Sequence, residues 1–187
     1  MTKLEAYVKH YSMWELIVKN PDRALYIKKD YVNKHDPDMH CICYLCEYFE
    51  DCRDCPLIVC DSNHLYYKFK YHPSIDRAIA IRDVIFNEYK CDPETLNKLK
   101  SYCNHYAMWD NIVVNPYDYI EIKSQYTYLK GEVVECNCYL CDYYETSCRL
   151  CPLRTCGKGS KYRNFMSHPT SAKAIEIRDI IFKDNFI

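Results

Sequence analysis

Four cysteines, Cys43, Cys46, Cys52 and Cys55, stand in a C-x2-C-x5-C-x2-C series. Four more, Cys138, Cys141, Cys148 and Cys151, stand in C-x2-C-x6-C-x2-C. A C-x2-C turn presents two thiolates on one side of a tight bend, and two such turns facing each other meet the tetrahedral, sulfur-rich shell that zinc prefers. The reading is one Zn2+ per series. Each series also has two outlying cysteines, Cys41 and Cys60 in the first and Cys136 and Cys156 in the second. Cys60 and Cys156 are substitutes for a C-x2-C member, whereas Cys41 and Cys136 read as small buried hydrophobes. A second metal or an iron–sulfur cluster is the competing use of so many thiols. A secreted disulfide scaffold is another, and it is disfavoured here. The stretch MTKLEAYVKHYSMWELIVKN holds no apolar run of signal-peptide length, so a reducing cytoplasm is expected, where clustered cysteines bind metal more often than they pair.

An all-thiolate shell is a closed one, and closed zinc sites are structural rather than catalytic. The helical H-E-x-x-H motif is absent, and so is the H-x-E…P-C-x-x-C pattern of zinc deaminases. With 3 glycines in 187 residues, the chain has neither a P-loop nor a dinucleotide fingerprint. No enzyme is expected.

Other residues invite a functional reading beside a structural one. His10 and His105 stand four residues before Trp14 and Trp109. Each is a ligand contact or a metal ligand or, as preferred, a partly buried histidine bonded to a backbone carbonyl or packed on the indole. Arg82 and Arg178 fall at helical spacing beside apolar residues, where a guanidinium needs a partner. That partner is an acidic residue near the first helix or the metal loop, or else a bound anion such as a small nucleotide. Tyrosine is abundant, at 20 residues. It serves protein interfaces and base stacking alike. Residues 148–183 hold eight Lys and Arg against two acids, a basic stretch that a nucleic acid would favour. The formal net charge of −1 gives no global field toward nucleic acid or an anionic membrane.

The elements that must position these groups occur twice. HYSMWELIVKNP at 10–21 returns as HYAMWDNIVVNP at 105–116, an offset of 95 residues between His10 and His105. CICYLCEYFEDCRDCPLIVC at 41–60 returns as CNCYLCDYYETSCRLCPLRTC at 136–156, and HPSIDRAIAIRDVIF at 72–86 as HPTSAKAIEIRDIIF at 168–182. Self-similarity at a fixed period is the mark of a duplicated unit. The expected organisation is two zinc-binding repeats, 1–93 and 94–187.

Within a repeat, Leu4, Tyr7, Val8, Tyr11, Trp14 and Val18 lie on one helical face, and Leu99, Tyr102, Tyr106, Trp109 and Val113 repeat it. Pro21 and Pro116 end these helices. A short helix over Ala24–Val32 precedes the cysteine series. A second amphipathic helix starts at Ser74 and buries Ile75, Ala78, Ile79, Ile85, Phe86 and Tyr89, with Ala174, Ile175, Ile181 and Phe182 as counterparts. The predicted fold class is small, mostly α and zinc-stabilised: two tandem repeats, each made of a helix, a four-cysteine zinc knuckle and a second helix. A metal supplies what so small a core does not. No stretch approaches the length of a membrane span.

H-Y-x-M-W, then C-Y-L-C-[ED]-Y, then C-R-x-C-P-L and a later Cys resembles a group of small cysteine-rich proteins encoded by bacteriophages and prophages. The match covers most of each repeat, although a Gly- and Trp-rich middle stretch is missing. The resemblance implies a phage-encoded zinc-binding protein in the cytoplasm of an infected bacterium. Together with the closed thiolate series, it leads to a non-enzymatic factor that binds and modulates or inhibits a host macromolecule, most simply a protein, in host takeover or anti-defence. Nucleic-acid binding through the basic second repeat is one alternative. A sponge for a small anionic nucleotide, held by Arg82 and Arg178, is the other.

Overall fold

The computed structural model describes residues 1–57, 64–129, 138–144, 149–153, 156, 159–184 and 186–187, the side chains of 127–129 excepted. The described residues form helices and turns, with no strand among them. The chain divides into two compact units, Met1–Leu96 with Ile187, and Asn97–Phe186.

In the first unit, Thr2 sets the start of helix α1 (Lys3–Lys19). Its hydroxyl accepts the Glu5 amide at 3.2 Å while the Glu5 carboxylate accepts the Thr2 amide at 2.7 Å, a reciprocal capping box. The helix stops at Asn20 because Pro21 has no amide to extend it. A 3-10 turn at Pro21–Arg23 leads into α2 (Ala24–His35), longer than the predicted short helix. Then come α3 (Tyr44–Phe49), α4 (Leu65–Tyr71) and α5 (Ile75–Arg82), which tightens into a 3-10 turn over Asp83–Tyr89. Helix α1 packs on α5, α3 and α2.

That packing changes the reading of α1. Leu4, Tyr7, Val8, Tyr11 and Trp14 are buried as expected, but so are Ala6, His10, Ser12, Met13 and Glu15. A helix buried on several sides is a central helix, not a one-faced surface helix. Trp14 sits at its middle with Phe69 edge-on at 5.1 Å.

The second unit takes α6 (Pro93–Val114) as its long helix, followed by a 3-10 turn at Pro116–Asp118 and α7 (Tyr119–Leu129). Helices α8 (Tyr139–Tyr143), α9 (Lys161–Ser167) and α10 (Ser171–Arg178) come next, and a 3-10 turn at Asp179–Lys183 closes the series. Leu99, Tyr102, Tyr106, Trp109 and Val113 are all buried on α6. Trp109 meets Phe165 edge-on at 5.2 Å.

The second amphipathic helix departs from its predicted face. Ser74 does cap α5, accepting the Arg77 amide at 3.3 Å. Yet Ile75 is 55% exposed and Ile175 38% exposed. The buried positions are Ala78, Ile81, Val84 and Ile85, and in the second unit Ala174, Ile177, Ile180 and Ile181. Ala78, Ile81 and Ile85, like Ala174, Ile177 and Ile181, keep the i, i+3, i+7 spacing of one α-helical face, and Ile75 and Ile175 lie to one side of it. No described helix is long and apolar enough to cross a membrane.

Candidate metal centre

Cys43, itself in extended conformation, stands immediately before α3, and Cys46 lies in that helix's first turn. A residue in this position and the one three further along face each other, and the two thiols are hydrogen-bonded. Contact with Cys46 and burial push the Cys43 thiol up, while the Cys46 backbone amide and the Lys28 ammonium pull the other way. Cys55 is buried within electrostatic reach of both Cys43 and Cys52, and burial raises its thiol too. Cys52 and Cys41 are exposed, so Cys41 is not the buried hydrophobe its place in the sequence suggested.

The second unit places Cys138 and Cys141 on α8 in the same way. Here a third sulfur joins them. Cys141 is hydrogen-bonded to Cys138 on one side and to Cys156 on the other. The two flanking thiols gain from this. Contact with Cys141, the amides of Cys141 and Leu140 and the Lys123 ammonium bring Cys138 down to about 6, against the opposing effect of burial. Contact with Cys141 and the same ammonium bring Cys156 down to about 7. Cys141 is pushed far up by both neighbours and keeps its proton. Cys156 is the outlying cysteine, so the contact draws on the series' substitute member. Cys151 is buried beside Tyr144, at a cavity of about 340 Å³ whose wall also includes Arg149, Lys183 and Asp184. Cys60, Cys136 and Cys148 lie outside the described residues.

These donors suit a soft divalent cation, since they are sulfur and interact within each unit. Among the described residues, however, no three His, Cys, Asp or Glu side chains close into a metal-holding group. Cys138, Cys141 and Cys156 form a row of sulfurs rather than a finished shell.

A pair of lysines completes the surroundings, and the sequence reading passed over them. Lys28 on α2 is only 3% exposed. Its ammonium lies 4.3 Å from the ring centre of Tyr66 and 5.0 Å from that of Trp14. Lys123 on α7 is 8% exposed. Its ammonium lies 4.6 Å from the Tyr162 ring centre and 6.0 Å from that of Trp109, and it donates to the Tyr162 hydroxyl at 2.9 Å. The 95-residue offset of the histidines also separates Lys28 from Lys123, and that was the available signal.

The other singled-out residues are absorbed by the core. His10 is fully buried, and its Nε2–H donates to the Ile81 carbonyl at 2.8 Å. His105 does the same to Ile177 at 3.0 Å. Burial lowers these imidazoles to about 3 and about 4, so both are neutral. Their Nδ1 atoms are buried without a hydrogen-bond partner. Arg82 is paired with Glu15 and with Asp83, at 2.7 Å for the latter, and stacks 5.0 Å from the Tyr11 ring centre. Arg178 pairs with Asp110 at 2.8 Å and Asp179 at 2.7 Å, 4.8 Å from the Tyr106 ring centre. Both guanidiniums are held charged by these carboxylates despite burial. Each therefore has the acidic partner of the structural reading.

Two more contacts occur at matching positions. Tyr7 donates to Glu88 at 2.5 Å, with Lys3 bound to the same carboxylate. Tyr102 donates to Asp184 at 2.6 Å, with Lys98 bound at 2.7 Å.

The chain matches no known protein family, no curated protein and no solved structure. Function must be argued from these contacts alone.

Proposed function

We infer that this chain is a non-enzymatic, zinc-binding protein of phage type, built as a tandem duplication, whose exposed aromatic and aliphatic side chains bind a host protein and modulate it. The observation that carries the metal is the interaction of the Cys141 thiol with both Cys138 and Cys156. Zinc bound there supplies a structural cross-link between α8 and the segment around Cys156. In the first unit Cys43 and Cys46 offer the corresponding pair. Recurrence supports the duplication: the histidine–carbonyl, arginine–carboxylate, tyrosine–carboxylate and lysine–aromatic contacts each occur at matching positions of the two units.

The binding role rests on what the core leaves outside. Leu25 is 59% exposed on α2 and its counterpart Ile120 is 68% exposed on α7. Tyr26 beside Leu25 is 60% exposed, and Tyr117 near Ile120 is 80% exposed. Large apolar side chains paired in this way are anchors of protein interfaces. The basic stretch gives weaker support to nucleic acid, because Lys161 is paired with Glu176, Lys173 with backbone carbonyls and Arg178 with Asp110.

Metal analysis of purified protein tests the first part. About one zinc per unit is expected, and removal by a chelator should cost helical signal. Metal-free protein with full helicity refutes it. For the second part, Leu25→Asp and Ile120→Asp should abolish capture of the host protein that wild type retains, with zinc content unchanged. Capture that survives both changes rejects this surface.

A further inference from the structure

The cavity of about 340 Å³ beside Cys151 is lined by Arg149, Leu150, Pro152, Lys183 and Asp184. Arg149 and Lys183 are exposed, and neither forms an ion pair among the described residues. Asp184 does not neutralise them, because it already holds Lys98 at 2.7 Å and accepts from the Tyr102 hydroxyl at 2.6 Å. Glu176, an acid that Lys183 influences, is paired with Lys161 at 2.7 Å. Two cations therefore share one concavity whose own carboxylate is committed elsewhere.

The matching place in the first unit carries the opposite balance. Its tyrosine–carboxylate–lysine contact is the same, made by Tyr7, Glu88 and Lys3. The counterpart of Arg149 is Arg53, however, and Asp51 clamps that guanidinium at 2.6 Å. In the second cysteine series the residue before the third cysteine is Ser147, where the first has Asp51. Leu150 stands for Asp54, and Lys183 for Asn87. Two acids lost and one base gained move the local charge by +3. Packing does not account for the exchange, since neither Leu150 nor Lys183 is buried.

A phosphate monoester meets these features. It carries nearly two negative charges at neutral pH and offers three acceptor oxygens. A guanidinium fork and an ammonium supply matching charge and donors. The volume lies at the small end of ligand pockets, which run from about 300 to 1,000 Å³. Leu150 and Pro152 add an apolar wall. We propose that this cavity binds a small organic phosphate monoester, with Arg149 and Lys183 on the phosphate and Leu150 and Pro152 against the organic group. The anion role that the sequence attached to Arg82 and Arg178, both paired in the core, moves to these two residues. The proposal uses neither the zinc reading nor the apolar anchors on α2 and α7.

Phenyl phosphate is the probe, titrated into the full chain by calorimetry beside inorganic phosphate and methyl phenyl phosphate. Phenyl phosphate should bind saturably at a single site and more tightly than either. Inorganic phosphate lacks the organic group, and the methyl diester has only one charge. Arg149→Gln and Lys183→Asn should each weaken phenyl phosphate by about tenfold or more. Leu150→Asp, which restores the acid of the first unit, should do the same, and Arg53→Gln should change nothing. All these positions are exposed, so the urea midpoint should stay at its wild-type value; this separates loss of the site from loss of the fold. Absence of saturable phenyl phosphate binding overturns the proposal, and so does binding that persists in both Arg149→Gln and Lys183→Asn. A single-stranded oligonucleotide that binds more tightly than phenyl phosphate, and weakens with the same variants, also overturns it, because the site would then take a phosphodiester backbone. Zinc content and host-protein capture are measured separately, so either reading can fail without the other.

Discussion

His10 and His105 each hold a helix end by one N–H, and that makes them acid-labile points. Their ordinary value is 6.5, and burial lowers them to about 3 and about 4. Above 6.5 both folded and unfolded chains hold them neutral, so they cost nothing. As pH falls below 6.5 the unfolded chain takes a proton that the folded unit refuses, and stability drops until the folded value is reached. At pH 5 each histidine should cost its unit about 2 kcal/mol. His10→Gln keeps a donor for the Ile81 carbonyl without titrating there. The difference in urea midpoint between wild type and His10→Gln should therefore depend on pH between 4 and 6.5 and level off above. A pH-independent difference would show that His10 is not held neutral. The buried arginine pairs set a second residue-scale expectation. Asp110→Asn removes one carboxylate from Arg178 in a site where the Arg178 and Asp110 side chains are 10% and 6% exposed. The loss should be about 3 kcal/mol, the low end for breaking a buried pair, because Asp179 remains. A loss below about 1 kcal/mol would place this pair with surface ion pairs instead.

At the scale of elements, the caps carry independent weight. Ser74 caps α5 and Thr170 caps α10, each by accepting the amide three residues on, at 3.3 Å. Ser74→Ala and Thr170→Ala should each cost about 1 kcal/mol by urea titration, without touching the sulfurs. A larger loss would mean that these hydroxyls do more than cap. The same elements show what the sequence could and could not tell. The helix starts and stops were legible, since capping residues and prolines act locally: Ser74, Pro21 and Pro116 behave as their chemistry dictates. The faces were legible only in part. Trp14 and Trp109 are buried as their spacing implied, but Ile75 and Ile175 face out because the buried face follows Ala78, Ile81 and Ile85, or Ala174, Ile177 and Ile181, and the apolar pattern of the sequence fits either face. Lys28 and Lys123 were missed for a related reason. A lysine on an amphipathic helix ordinarily reads as solvated, and only the arrival of Tyr66 and Tyr162 from far along the chain encloses it. The interaction of Cys43 with Cys46 and of Cys138 with Cys141 was legible in the C-x2-C spacing. The approach of Cys156 to Cys141 depends on a fold-back that spacing alone left open.

At the scale of the molecule, each unit contains one tryptophan, Trp14 or Trp109, at the centre of its core. Fluorescence can therefore report one unit at a time: Trp109→Phe leaves the signal of the first, and Trp14→Phe that of the second. If each unit holds its own metal, as proposed, the protein should fail one half at a time. Cys46→Ser removes a sulfur from the first unit's pair, and Cys141→Ser removes the sulfur that joins Cys138 to Cys156 in the second. Each change should lower zinc content from about two per chain to about one. Binding free energy that is coupled to folding is lost with the ligand that carried it. In the Trp109→Phe background, Cys46→Ser should therefore move the urea transition seen by Trp14 to lower denaturant, and Cys141→Ser should leave it in place. The Trp14→Phe background should show the reverse. Loss of both metals from either single serine variant would mean that one shared site, not two, is built from these cysteines, and the reading of the chain as two self-contained zinc units would be wrong.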